Sequence, residues 1–395
     1  MKSTSQKARR IGGATAIAIS LALFASACGS DSGSSGSEPI KAIGEGEKAL
    51  NLVVWAGYAE DGSTYPEYNW VGPFEEQSGC KVKSQLAATS DEMFQLMSTG
   101  QYDGVSASGD SSVRMIDAGL VAPVNTGLIK NYADLSPFLK DQPYNSSGGK
   151  NYGVPHGWGV NYLMWNSDVV TPAPDSWSVV FDKASPYSGK VTAYDAPIYI
   201  ADAAVYLKST QPDLGIEDPY SLNQKQFDAA VALLKDQHSI IGEYWNDYTK
   251  AQSAFEQGST VVGTTWQVIA NLAIANGAKL ETVVPKEGTT GWSDTWMLSS
   301  KAAHPNCMYM WMDYITSPEV QAQVAYYFGE APANPKACAL ITADATHCDV
   351  FKATDQAFYD SVYFWATPRK ACLNGKGSDC VPFSEWIKAW TEIKG

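Results

Sequence analysis

The hexapeptide GWSDTW, residues 291–296, sets one carboxylate between two indoles. Core packing would account for Trp292 and Trp296 but not for Asp294. A carboxylate withdrawn from water is costly unless a cation or several hydrogen bonds go with it. No lysine or arginine stands within six residues of Asp294. The chemistry that suits all three side chains is capture of an organic cation. An indole face attracts an alkylammonium by ~0.5–2 kcal/mol once water is excluded. A carboxylate adds a charge-assisted hydrogen bond that fixes position. Aromatic walls bury the alkyl chain, at about 0.8 kcal/mol per methylene.

More residues of these types recur at matching places. VVWAGY carries Trp55 and Tyr58, ATSDEM carries Ser90, TAYDA carries Asp195 and GTTW carries Trp266. Each falls at or just past the end of a predicted strand, where open α/β sheets hold their ligands. Catalytic patterns are missing: there is no GxSxG, HExxH or GxxxxGK[ST]. The acid pairs Asp213/Glu217 and Glu75/Glu76 sit in polar stretches that read as solvated faces. There is no CxxC, and His156, His238, His304 and His347 are scattered. No metal site, cofactor or enzymatic activity is expected.

Strands and helices must alternate to hold such residues. Period-2 and β-rich runs predict strands over 50–55, 80–87, 102–108, 190–196, 259–266, 280–285 and 295–300. QKQFDAAVALLKDQ puts Phe227, Val231 and Leu234 on one helical face. SPEVQAQVAYYF predicts a helix capped by Ser317 with Pro318 first. SEWIKAWTEI predicts a last helix, also with a serine cap. The pattern is that of an α/β protein with parallel or mixed sheets, and 395 residues suggest two domains.

The N-terminus gives an address. Lys2, Lys7, Arg9 and Arg10 precede the apolar run IGGATAIAISLALFA, which is too short to span a bilayer and reads as a secretory signal over residues 1–27. ASAC resembles a bacterial lipobox, which implies cleavage before Cys28 and its lipidation. GSDSGSSGSEP then reads as a flexible tether, taken as residues 28–47. Removing residues 1–27 strips four positive charges and takes the formal charge from −14 to −18. Such a surface repels nucleic acid and favours cations. With Cys28 set aside, Cys80, Cys307, Cys338, Cys348, Cys372 and Cys380 remain. In an exported chain they predict up to three disulfides among 15 connectivities. The near pairs Cys338/Cys348 and Cys372/Cys380 suit local loops, leaving Cys80 and Cys307 to join distant segments.

From about Leu50 the order of motifs resembles the spermidine/putrescine-binding proteins of bacterial ABC importers. The runs that carry the resemblance are LVVWAGY, SDEM, YDGVSASGDSSVRMIDAGLVAPVN, YGVPHGWGVNYLMWN, SWSVVFDKASPYSGKVTAYD, VVPKEGTTGWSDTWMLSS and FGEAPANP. The resemblance implies a type II periplasmic-binding-protein fold, with two lobes, hinge strands and a cleft that closes on ligand. Lobe 1 would take residues 48–160 and 294–338, and lobe 2 residues 161–293 and 339–395. It also implies an aromatic box of Trp55, Tyr58, Trp266 and Trp292, with Asp294 as the carboxylate for an amine. Asp195 would be a second acid and Ser90 a hydroxyl that helps hold an amine. Two departures bear on the ligand. Gly57 stands where the family often has an acid, and Ile198 where a glutamate is expected. A long triamine therefore fits less well than a diamine or a mono-cationic or zwitterionic amine.

The expectation is a monomeric lipoprotein, anchored on the outer face of the cell membrane, that delivers a polyamine-like amine to an ABC permease. Three other readings stand beside it. One keeps the importer but changes the solute, for instance to a sugar on the same tryptophans. Another is a secreted hydrolase using Asp195 and Asp294 as its acid pair. The last is an adhesion or scaffold protein without a small ligand.

Overall fold

A computed structural model describes residues 39–395. The signal sequence, Cys28 and most of the expected tether lie outside the described residues. The last part of that tether is held to the body. Asn125 donates to the Ile40 carbonyl, and Gly44 N–H donates to Asn306 Oδ1. Glu47 accepts from the backbone N–H groups of Asn306 and Cys307, so it caps the helix Pro305–Ile315. A carboxylate there meets the unpaired amides and the positive end of the helix.

Two main sheets form the frame. In the first, the strand order runs Ala331–Pro332, Gly153–Val160, Thr290–Ser299, Gly104–Ala107, Ala49–Val54 and Lys81–Leu86, with two short strands added to Thr290–Ser299. In the second it runs Ile241–Trp245, Val191–Tyr194, Val262–Thr265, Tyr162–Asn166 and Leu280–Val283. Each sheet pairs parallel and antiparallel strands. Four of the parallel members, Ala49–Val54, Gly104–Ala107, Val191–Tyr194 and Val262–Thr265, are short runs expected from the sequence and are largely buried. Three strands escaped the sequence reading: Gly153–Val160, Tyr162–Asn166 and Ile241–Trp245. The first holds three glycines and a proline, and the last is a mix of polar and aromatic residues, so neither shows a clean β pattern.

The helices follow their patterns, with changes at the ends. Gln224–His238 opens on a capping box of Asn223 and Gln226 and buries Phe227, Val231 and Leu234. Pro318–Phe328 starts at Pro318 as expected, but the Ser317 hydroxyl donates back to the Tyr314 carbonyl instead of capping. The last helix, Phe383–Lys394, begins one residue before Ser384, with Pro382 in the cap position. Proline lacks the N–H that a helix start cannot use, so it serves there without a side-chain bond.

All three expected disulfides are present: Cys80–Cys307, Cys338–Cys348 and Cys372–Cys380. The first joins segments 227 residues apart, and the others close loops of 10 and 8 residues.

The chain crosses between the sheets at Asn161 and again between Val283 and Thr290, and the two crossings are bonded to each other. Asn161 Nδ2 donates to Thr290 Oγ1 over 2.6 Å, and Thr289 Oγ1 donates to the Asn161 carbonyl. Thr290 Oγ1 in turn donates to Asp202, a buried acid. The lobe boundary expected at residues 293/294 falls inside the strand Thr290–Ser299, all of which belongs to the first sheet. Among the described residues, no helix is long and apolar enough to cross a membrane, and no cluster of His, Cys, Asp and Glu could hold a metal ion.

Candidate ligand-binding site

The strand Thr290–Ser299 carries Trp292 and Asp294 on one face, two residues apart. Its neighbour Gly153–Val160 places Gly159 opposite Trp292 and Gly157 opposite Asp294. Both glycines leave room that a side chain would take. A Cβ at Gly159 would stand 2.5 Å from the Trp292 ring, and one at Gly157 2.5 Å from the carboxyl carbon of Glu330. The GxG spacing of HGWG thus seats an indole and an acid side by side.

Asp294 is 2 % exposed. Its hydrogen bonds come from hydroxyls: Tyr58 Oη donates to Oδ2 at 2.7 Å and Ser108 Oγ to Oδ1 at 2.5 Å. No lysine or arginine of the chain is recorded against it among the described residues. Burial pushes its pKa up to about 7, opposed by these two hydrogen bonds and aided by the field of Asp110. Behind it lies a second buried acid. Tyr58 Oη also stands 3.1 Å from Oε2 of Glu330, which burial and the charge of Asp294 drive well above the usual carboxylate range. Tyr58 is therefore not a wall of the box. It is fully buried, with its hydroxyl on the acids and its ring against His156 and Phe328.

The indoles come together as expected and draw in others. Trp55, Trp266, Trp292, Phe328 and Trp365 enclose a slot of about 10 Å³ over Asp294 and Ser108. That is room for one water molecule at most. Trp55 and Trp266 meet edge to face at 6.1 Å, and Tyr194 stacks on Trp365 at 5.6 Å. The indole N–H groups of Trp55, Trp292 and Trp365 are buried without a partner. Trp55, Trp266 and Phe328 also border a larger cleft of about 350 Å³, shared by both sheets. From the first sheet it takes Leu86, Ala88 and Glu92, and from the second Asn246, Asp247 and Tyr248. These residues follow the carboxyl ends of parallel strands, as expected for an open α/β sheet.

Ser90 and Asp195 are not part of this group. They line a separate cavity of about 220 Å³ with Asp91, Asp110 and Trp390. Asp195 is matched by the chain itself: Lys394 Nζ lies 2.5 Å from Oδ2, and Trp390 Nε1 donates to Oδ1. The Ser90 hydroxyl donates to Asp110 at 2.7 Å. Asp195 thus has its cation already, from a helix 199 residues away in sequence where local spacing gives no warning. Asp195 and Asp294, the two acids considered as a hydrolase pair, line different cavities.

The residues that sequence reasoning missed are Ser108, Phe328, Glu330, Trp365 and His156. Ser108 had a signal, since it ends a predicted strand just as Trp55 does. Phe328 ends the expected helix SPEVQAQVAYYF, Trp365 lies in no run singled out from the sequence, and Glu330 sits in a run noted only as part of the family resemblance.

The sequence matches the family model described as bacterial extracellular solute-binding protein over residues 69–348. The chain belongs to this family. Among the relatives of this solute-binding protein is the spermidine/putrescine-binding periplasmic protein of Escherichia coli strain K12. It is 24 % identical over 311 residues, spanning 76 % of this chain and 86 % of the relative. Among solved structures, the spermidine/putrescine ABC transporter substrate-binding protein of Streptococcus pneumoniae superposes with a TM-score of 0.67. Identity is 18 %, and 88 % of this chain and 99 % of that one are covered. The binding protein MotA of A. tumefaciens B6, solved with glucopine, gives a TM-score of 0.69 at 16 % identity, covering 88 % and 100 %. The fold is the expected two-lobed one of the periplasmic-binding proteins.

Proposed function

We propose that this solute-binding protein captures a small organic amine between its lobes and delivers it to the permease of an ABC importer. The observation that carries the reading is Asp294, buried among indoles and held by two hydroxyls rather than by a cation of the chain. An ammonium group supplies the missing charge. Its alkyl part lies in the outer cleft between Trp55, Trp266 and Phe328, whose volume is within the usual range for small-ligand sites. The slot at Asp294 is too small for an ammonium-bearing chain, so the rings must part to admit one.

The ligand is a diamine or a singly charged or zwitterionic amine rather than a long triamine. Asp195 is already paired with Lys394, Ile198 is apolar and buried, and position 57 is glycine. Asp294 is left as the one acid of the expected set free to take an ammonium. The relatives support an amine in part: the E. coli protein is named for spermidine and putrescine, whereas MotA was solved with glucopine. We further propose that Cys28 carries a lipid, that the protein acts as a monomer on the outer face of the membrane, and that the lobes divide at the two inter-sheet crossings.

A thermal-shift screen of amines, amino acids and sugars tests the reading. A ligand at 100 times its Kd stabilises by about 2.7 kcal/mol. Putrescine or another small amine is expected to raise Tm, and neutral sugars to leave it unchanged. A shift with sugars and none with amines would refute the proposal.

A further inference from the structure

Tyr58 touches two buried acids, Asp294 at 2.7 Å and Glu330 at 3.1 Å, yet a phenol has one proton to donate. A full hydrogen bond at both contacts therefore requires that one be made by a proton belonging to a carboxyl group. The surroundings decide which. Asp294 receives a second hydroxyl, that of Ser108, and so has two donors to stabilise a negative charge. Glu330 is 0 % exposed, and its Oε1 has no hydrogen-bond partner. Its nearest charged or titratable neighbour besides Tyr58 is His156, with Nε2 at 3.6 Å. His156 Nδ1 accepts from Trp296 Nε1, so the single proton of the neutral ring is on Nε2, facing Oε1. Burial keeps that ring neutral, with its pKa lowered to about 3. Neither His156 Nε2 nor Glu330 Oε1 has a hydrogen-bond partner, so no donor holds a charge on Oε1, and Oε2, the atom beside Tyr58, is left to carry the hydroxyl.

We propose that Glu330 is a positioning residue of the ligand site, a neutral acid that donates to the Tyr58 oxygen and so commits the Tyr58 proton to Asp294. The relay runs from Glu330 to Tyr58 to Asp294, with Ser108 converging from the other side. It keeps Asp294 as the only anion of the pair, with its orientation fixed before a ligand arrives. The other groups around the relay do not supply a positive charge. Asp110 acts on Asp294 through its field, Tyr144 feels Asp294 in return, and Gln321 lies against His156. His347 meets only the backbone carbonyl of Glu330, and burial lowers its pKa. Gly157 makes the arrangement possible, because any side chain there would strike the Glu330 carboxyl.

The proton count stands on the hydrogen bonds alone; its effect on binding rests on the amine reading. The test therefore has one arm without ligand. At pH 9, where Asp294, Asp202 and Asp110 are ionised, the infrared spectrum is expected to retain the carbonyl band of one protonated carboxyl group. That band should persist in Asp294→Asn and vanish in Glu330→Gln. Absence of the band from the native protein would overturn the proposal, whether or not Glu330→Gln folds. The second arm is calorimetry with putrescine. Glu330→Gln, which keeps a donor beside Tyr58, should bind within about threefold of native, whereas Glu330→Leu should lose at least tenfold. Equal loss in both variants would show an anionic Glu330 that contacts the ligand itself, and would also overturn the proposal.

Discussion

Asp294 combines burial with a charge that meets no lysine or arginine among the described residues, so protons and cations compete for it. With a pKa near 7, it is half protonated at neutral pH in the ligand-free protein. An ammonium must displace that proton. Amine affinity is therefore expected to fall as pH drops through 7, approaching tenfold per unit below it. Calorimetry at pH 8 and pH 6 checks this, and an affinity independent of pH would count against Asp294 as the ligand's partner. The same burial acts on stability. Asp110, Asp202 and Asp294 have folded pKa values raised to about 6, 7 and 7. Between about pH 4 and pH 7 these three carboxyls hold more protons in the folded form than in the unfolded one, so their contribution to stability falls as pH rises through that window, opposed by the buried neutral ring of His156. Ligand-free protein should melt at least ~3 °C higher at pH 5 than at pH 7.5. Asp294→Asn should flatten part of that slope.

Much of this site could be read from residue types alone. Trp292, Asp294, Trp55 and Trp266 announce themselves because each joins a costly or bulky side chain to a strand end. Asp195 has the same signature and a different fate. Its partner Lys394 is set by the docking of the last helix, which is a tertiary fact. Glu330 was hard to see for a related reason: its importance lies in which hydroxyl it meets across the sheet.

Among the elements, the strand Thr290–Ser299 bears the greatest demand, because it belongs to the first sheet and leads directly from the crossing at Thr289 and Thr290. Its glycine-bearing neighbour was illegible as a strand for the very reason that makes it useful. Gly157 and Gly159 weaken β propensity but leave space for Glu330 and Trp292. Gly159→Ala is therefore expected to push Trp292 out of place and lower amine affinity at least tenfold, with far-UV circular dichroism unchanged. Native affinity in that variant would contradict the close packing described here. The long-range disulfide is a second structural element that local spacing identified only by elimination. Cys80–Cys307 ties the start of the edge strand to the helix capped by Glu47. Replacing both cysteines by alanine should lower unfolding free energy by about 2–5 kcal/mol. Chemical denaturation checks this, and an unchanged midpoint would assign the stability to packing alone.

For the whole molecule, the two inter-sheet crossings and the slot between the sheets make one device. The crossings at Asn161 and at Thr289–Thr290 are short and mutually bonded. The indoles leave almost no space over Asp294 in the conformation described. That slot is smaller than an ammonium-bearing chain, so the rings must part to admit one. Alternating strands and helices made the α/β class legible in the sequence, and the order of motifs suggested two lobes. How nearly the indoles fill the space over Asp294 was not legible, since it depends on five aromatic rings from distant segments meeting at one point.

On the proposed reading, Asp294 supplies the charge that holds the ligand. Calorimetric titration of native protein and Asp294→Asn with the best amine from the screen, at pH 8, tests this directly. Native protein should bind at least tenfold more tightly than the variant, with both melting cooperatively. Equal affinity in the two proteins would contradict it.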